Sequence, residues 1–163
     1  MSLHSLTRRL AAVCETAAAA IFAAVCLLNF IQVVGRYAAG SSLNWAEEVM
    51  RYSMLWVMML GGTAAIQRGD HMAVDTLLDA LSPRGAHLLR SLLFGIAGIF
   101  AALLVWYGWP AALNNARQSA AASGLPMIVP YMALPVGGAL MLVQIVLCWL
   151  TGFGETRHEE EAY

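Results

Sequence analysis

Long apolar runs alternate with short polar stretches along the chain, and their lengths set the architecture. Apolar residues extend from Leu10 to Val34, interrupted at Glu15, Asn29 and Gln32, and a second run centres on Tyr52–Ile66. A third covers Ser91–Leu113 and a fourth Met127–Phe153. A bilayer core of about 30 Å needs roughly 20 mostly apolar residues in helical form. The pattern therefore predicts an all-α integral membrane protein with four transmembrane helices at about 10–34, 45–67, 88–113 and 127–153. Residues 1–163 read as a single four-helix membrane domain, with no room for a soluble one.

Punctuation between the runs supports these limits. Asn44-Trp45-Ala46-Glu47 has the form of a capping box opening the second helix, and Ser82-Pro83 offers a cap and a first-turn proline for the third. Pro126, Pro130 and Pro135 crowd the start of the fourth, which predicts irregular or kinked first turns. In the second connection Val74, Leu77, Leu78 and Leu81 recur at helical spacing, giving a short amphipathic helix over about 71–81. Its polar side carries Asp75 and Asp79, whereas a helix gripping anionic lipid carries Lys or Arg there. That helix is expected beneath the bundle or against a neighbouring subunit. Arg8 and Arg9 ahead of an apolar run imitate a signal peptide, but such an apolar core is only about 7–15 residues, so a retained helix is expected.

Composition narrows the class. About 60% of residues are hydrophobic and 12% charged, and nine arginines (there is no lysine) nearly cancel ten acids for a net charge of -1. Nucleic-acid binding through a clustered basic footprint is excluded on that balance, and disorder is excluded by the apolar content. The arginines orient the chain. With the N-terminus inside, Arg8, Arg9, Arg68, Arg84, Arg90 and Arg157 fall on the cytoplasmic side and Arg36, Arg51 and Arg117 outside, which favours N-in, C-in topology. Trp45, Trp106, Tyr107, Trp109 and Tyr131 then cluster at the outer boundary as an aromatic belt.

Candidate chemistry is sparse. Cys14, Cys26 and Cys148 lie within apolar spans with no Cys-x-x-Cys pair, and read as small hydrophobes. His4, His71, His87 and His158 lie outside the apolar centres, so no axial haem ligand is available inside the bundle. His71 and Asp75 have i, i+4 spacing, but two ligands are not a metal site. No catalytic residue, cofactor or metal is expected. The notable cluster sits on the second helix. Tyr52–Ile66 reaches only about 22 Å at ~1.5 Å per residue, so the helix must recruit residues back to about Trp45. That brings Glu47, Glu48 and Arg51 to membrane depth, where a lone Arg costs a few kcal/mol. Glu47 and Glu48 precede Arg51 by four and three residues, the favourable order for pairing on one helix. Three readings stay open: a capped, self-neutralising ion pair, a contact that fixes another subunit's register, or an ion relay. The relay lacks a continuing polar path through Leu55–Leu60.

Taken in order, Trp45-x-Glu47-Glu48-x-x-Arg51, Gly61-Gly62, Arg68-x-x-His71-x-x-Val74-Asp75, Ser123-Gly124-Leu125-Pro126, Tyr131 and Leu134-Pro135-x-Gly137 resemble the small membrane subunit of tripartite ATP-independent periplasmic (TRAP) transporters. The resemblance implies a non-catalytic, multi-pass subunit of the bacterial inner membrane. It would scaffold a large membrane subunit that imports an organic acid with sodium, the acid being delivered by a periplasmic substrate-binding protein. Partners would then be those two proteins and membrane lipids, with no nucleic acid. Glu47, Glu48, Arg51 and Trp45 would form a structural ion cluster or subunit interface, Arg68, His71 and Asp75 a cytoplasmic motif, and Arg117, Pro126 and Tyr131 a periplasmic partner contact. The residues alone leave two other classes standing: a self-contained small homo-oligomeric transporter or channel, and the membrane anchor of a redox complex.

Overall fold

The computed structural model describes residues 3–38, 40, 43–68 and 82–151. Five helices account for most of them: α1 (Leu3–Ala38), α2 (Asn44–Arg68), α3 (Pro83–Asn114), α4 (Ile128–Tyr131) and α5 (Ala133–Leu150). Four stretches are long and apolar enough to cross a membrane, with α4 and α5 together forming the last. The expected amphipathic helix at 71–81, and with it His71 and Asp75, lies outside the described residues, as does the side chain of Arg68.

Local chemistry explains the helix limits. Ser82 caps α3, its hydroxyl oxygen accepting from the Gly85 amide at 3.4 Å, and Pro83 occupies the first turn, where its missing N–H costs nothing. Asn44 is the first residue of α2, where the sequence places the helix's opening. The last span is broken at Met132. Pro135 cannot donate to the carbonyl four residues back and its ring crowds that turn, and Trp56 on α2 donates its indole N–H to Val129 O across the break at 3.2 Å.

The helices are not equal partners. α1 packs along α2, α2 along α5 and α5 along α3, with a lesser α1–α5 contact; among the described residues α3 touches only α4 and α5. The last span is thus the hub, with 44% of its most apolar window buried, against 11%, 11% and 6% for the other three spans. Its hub position depends on small residues. A Cβ at Gly138 would lie 2.9 Å from Ala101 O and 3.0 Å from Leu104 Cβ on α3, and one at Gly137 would overlap Met59 on α2. Across the α3–α5 contact Gly108 meets Pro135 in the same way, at 2.9 Å. Missing side chains let neighbouring backbones approach, the usual means of helix association in lipid.

One polar side chain shows how one end of the bundle is arranged. Gln144, fully buried on α5, donates to Thr7 O near the start of α1 at 3.3 Å. The beginning of the first span and the end of the last therefore share one end. Cys14 and Cys148 are buried, while Cys26 faces outward on α1; only two of the three thiols pack inside the bundle.

The carboxylate clamp at the opposite end

Glu48 anchors the other end. The chain leaving α3 turns through a small hairpin-like connection before α4. Ser119 and Pro126 form a single antiparallel bridge. Ala120 N donates to Leu125 O at 2.8 Å, Met127 N to Gln118 O at 2.9 Å and Gly124 N to Ala120 O at 3.0 Å. Gly124 takes φ +68 at the tip, a left-handed conformation that a residue with a Cβ adopts at a cost. The turn leaves the consecutive amides of Ala122 and Ser123 directed at one carboxylate. Glu48 accepts from Ala122 N at 3.2 Å, from Ser123 N at 2.9 Å and from the Ser123 hydroxyl at 2.9 Å. Successive backbone amides in such a turn form a ready-made anion seat, and charge-assisted bonds of this kind are the stronger ones.

Glu47 works in the other direction. Gln32, buried on α1, donates to Glu47 Oε1 at 3.3 Å. The two adjacent acids therefore tie α2 to both of its flanks, one to α1 and one to the α3–α4 connection. Eight residues beyond Glu48, on the same face of α2, Trp56 adds the bond to Val129 O already described. Arg51 exerts an attraction on Glu48 but lies exposed on α2. A self-contained ion pair is thus not the main business of this cluster, because the carboxylates are spent on other elements.

The remaining sequence candidates fall around this clamp. Trp45 is exposed at the start of α2, and Trp106, Tyr107 and Trp109 are exposed at the same end on α3. Arg117 and Pro126 are exposed on the connection and Tyr131 is half-buried at the end of α4. Ser123 and Trp56 were not singled out as a fastening. Ser123-Gly124 stands in the sequence only as part of the family motif, and nothing there marks the turn's amides as partners of an acid on another helix.

A four-span bundle whose hub is a proline-broken last span, with an acid of the second span seated in the loop before it, defines a small helical membrane protein. The family profile described as "Tripartite ATP-independent periplasmic transporters, DctQ component" matches residues 25–154. The chain belongs to this family: it is a transporter permease subunit of the inner membrane and not an enzyme. It is 29% identical over 138 residues to a TRAP transporter small permease protein of Haemophilus influenzae, covering 85% of this chain and 83% of that one. It is 24% identical over 128 residues to the C4-dicarboxylate TRAP transporter small permease protein DctQ of Rhodobacter capsulatus, covering 76% and 56%. It is also 26% identical over 122 residues to the isethionate TRAP transporter permease protein DctMQ of Oleidesulfovibrio alaskensis, covering 74% of this chain and 19% of that protein.

Proposed function

We propose that this chain braces the large membrane subunit of a sodium-coupled TRAP transporter for an organic acid, which a periplasmic binding protein delivers. The chain sits N-in, C-in, so that the clamped connection faces the periplasm and the Thr7–Gln144 end faces the cytoplasm. The observation that carries this reading is the Glu48 clamp. The two acids placed at membrane depth, Glu47 and Glu48, are consumed in fastening the bundle, as suits a static brace. Support for a large partner comes from the Oleidesulfovibrio alaskensis relative, in which the match occupies 19% of a longer permease chain. The three peripheral spans also leave most of their apolar surface unburied, and helix surface of that extent in a membrane is covered by lipid or by other helices. The relatives' names differ in cargo, C4-dicarboxylate in one and isethionate in another, so the cargo is assigned to the other subunits.

Within this reading Glu47 and Glu48 hold the brace rigid, and the exposed Arg117 and Pro126 offer the periplasmic face that a soluble protein meets. Co-expression with a large TRAP membrane subunit tests the proposal. The expected outcome is a complex that survives mild detergent, with uptake in proteoliposomes only when both chains and the binding protein are present. Flux through vesicles holding this chain alone would replace the brace with a self-contained transporter.

A further inference from the structure

The start of α3 carries a second polar feature, at the end of the bundle away from the clamp. Arg84, His87, Leu88 and Ser91 border a shallow, open depression on the helix surface. Their spacing of i, i+3, i+4 and i+7 puts all four on one face of the helix. Arg84, His87 and Ser91 are all exposed there. The helix carries no acidic residue anywhere along Pro83–Asn114, so nothing on α3 itself neutralises this face.

The depth is informative. Arg84 lies 22 residues before Trp106 on one continuous helix, a rise of about 33 Å at ~1.5 Å per residue. Trp106, Tyr107 and Trp109 are 75%, 69% and 52% exposed and mark one membrane boundary. A hydrocarbon core of about 30 Å then places Arg84 and His87 at the opposite headgroup layer. Below them the same face continues as Leu88, Leu92 and Ile96, all more than half exposed. Gly95 falls within this stripe, and a Cβ built there meets nothing within 4 Å. Its missing side chain serves no close helix contact among the described residues, unlike that of Gly137 or Gly138, and leaves a notch in the apolar stripe. A cationic recess at headgroup depth above a notched apolar track matches a molecule with an anionic head and an acyl tail.

We propose that this face of α3 is a binding site for an anionic glycerophospholipid. Arg84 and His87 donate to the phosphate, Ser91 hydrogen-bonds the glycerol or ester oxygens, and one acyl chain runs over Leu88 and Leu92 into the notch at Gly95. The charge complementarity selects the lipid headgroup, and the apolar track separates it from free phosphate.

Native mass spectrometry of the full-length chain in mild detergent, titrated with phosphatidylglycerol, phosphatidylcholine or inorganic phosphate, tests the site. The wild-type chain is expected to retain phosphatidylglycerol roughly fivefold or more over phosphatidylcholine, with inorganic phosphate failing to displace it. The double variant R84A/H87A should lose that preference while keeping its helix content, since both side chains are exposed. Gly95→Leu, which leaves the charges intact and fills the notch, should weaken retention of phosphatidylglycerol alone. Equal retention of the two lipids by the wild-type chain would overturn the proposal. So would an unchanged preference in R84A/H87A, or full displacement by inorganic phosphate.

Discussion

At each end of the bundle a polar side chain reaches a distant part of the chain, yet the two fastenings differ in kind. At one end Glu48 brings a charge to three donors, two of them consecutive amides of a turn. At the other, Gln144 brings a neutral amide to a helix carbonyl at 3.3 Å and to the Cys148 sulfur at 3.9 Å, while its own oxygen is buried without a partner. The Thr7 carbonyl belongs to α1 and can serve its own helix with or without Gln144. The Ala122 and Ser123 amides belong to a turn, and without Glu48 nothing else described engages them. The contrast separates a side chain that makes a piece of structure from one that decorates a contact already made by packing.

Between the ends lies the packing that both fastenings presuppose, and the largest effects are expected there. Gly138→Ala sets a methyl group 2.9 Å from a backbone oxygen of α3 and 3.0 Å from a Cβ, neither of which is the free end of a side chain. The expected cost is about 1–3 kcal/mol, the usual penalty for overpacking, read as a lowered unfolding temperature in detergent. Gly62→Ala is the control. Its new methyl would meet only the terminal Cε of Met141, at 2.6 Å, and that flexible side chain can turn aside. If both substitutions cost the same, the close approach of α3 and α5 is not what holds the hub.

Glu48→Ala comes next and acts locally. The clamp's loss should raise hydrogen exchange at Ala122 and Ser123 by roughly tenfold or more, on the scale of a lost charge-assisted bond, while the amides of α5 stay protected. Ser123→Ala, which removes the hydroxyl but keeps both amides, should give a smaller rise. Arg51→Ala should leave the clamp closed, because the carboxylate keeps its three donors. A collapse of protection in Arg51→Ala equal to that in Glu48→Ala would restore the ion pair as the organising contact.

The sequence disclosed the four spans because a membrane crossing is a matter of apolar length, and it disclosed the break near Met132 because Pro135 removes a particular hydrogen bond. The family resemblance was carried by the same punctuation around Trp45–Arg51 and Ser123–Pro126. The clamp itself stayed hidden. Glu48 and Ala122 stand 74 positions apart, and the target is mostly backbone N–H, a group that every residue except proline carries. Trp56 to Val129 O and Gln144 to Thr7 O share this property. Local i, i+4 logic therefore offers the nearest base, Arg51, as one of three open readings for the acids of α2, the one partner whose identity can be read from side chains alone. The turn supplied a stronger partner that has no side-chain signature beyond the Ser123 hydroxyl.

Gln144 offers the sharpest test of the contrast, because the expected effect is close to nothing. A buried amide with one satisfied donor and one orphaned acceptor gains little over an apolar group of the same shape. Gln144→Leu removes the orphaned oxygen together with a long hydrogen bond and keeps the volume that fills the α1–α5 contact. Its unfolding temperature in detergent should correspond to a change within about 1 kcal/mol in either direction. Gln144→Glu should fare worse, since it sets an ionisable group in the same dry position. Measured in the complex with the large subunit, the Leu variant discriminates further. If it behaves well alone but weakens the complex, then the α1–α5 contact that Gln144 fills from its fully buried position is shaped for the partner, and the plain end of the bundle is as much a fastening as the clamped one.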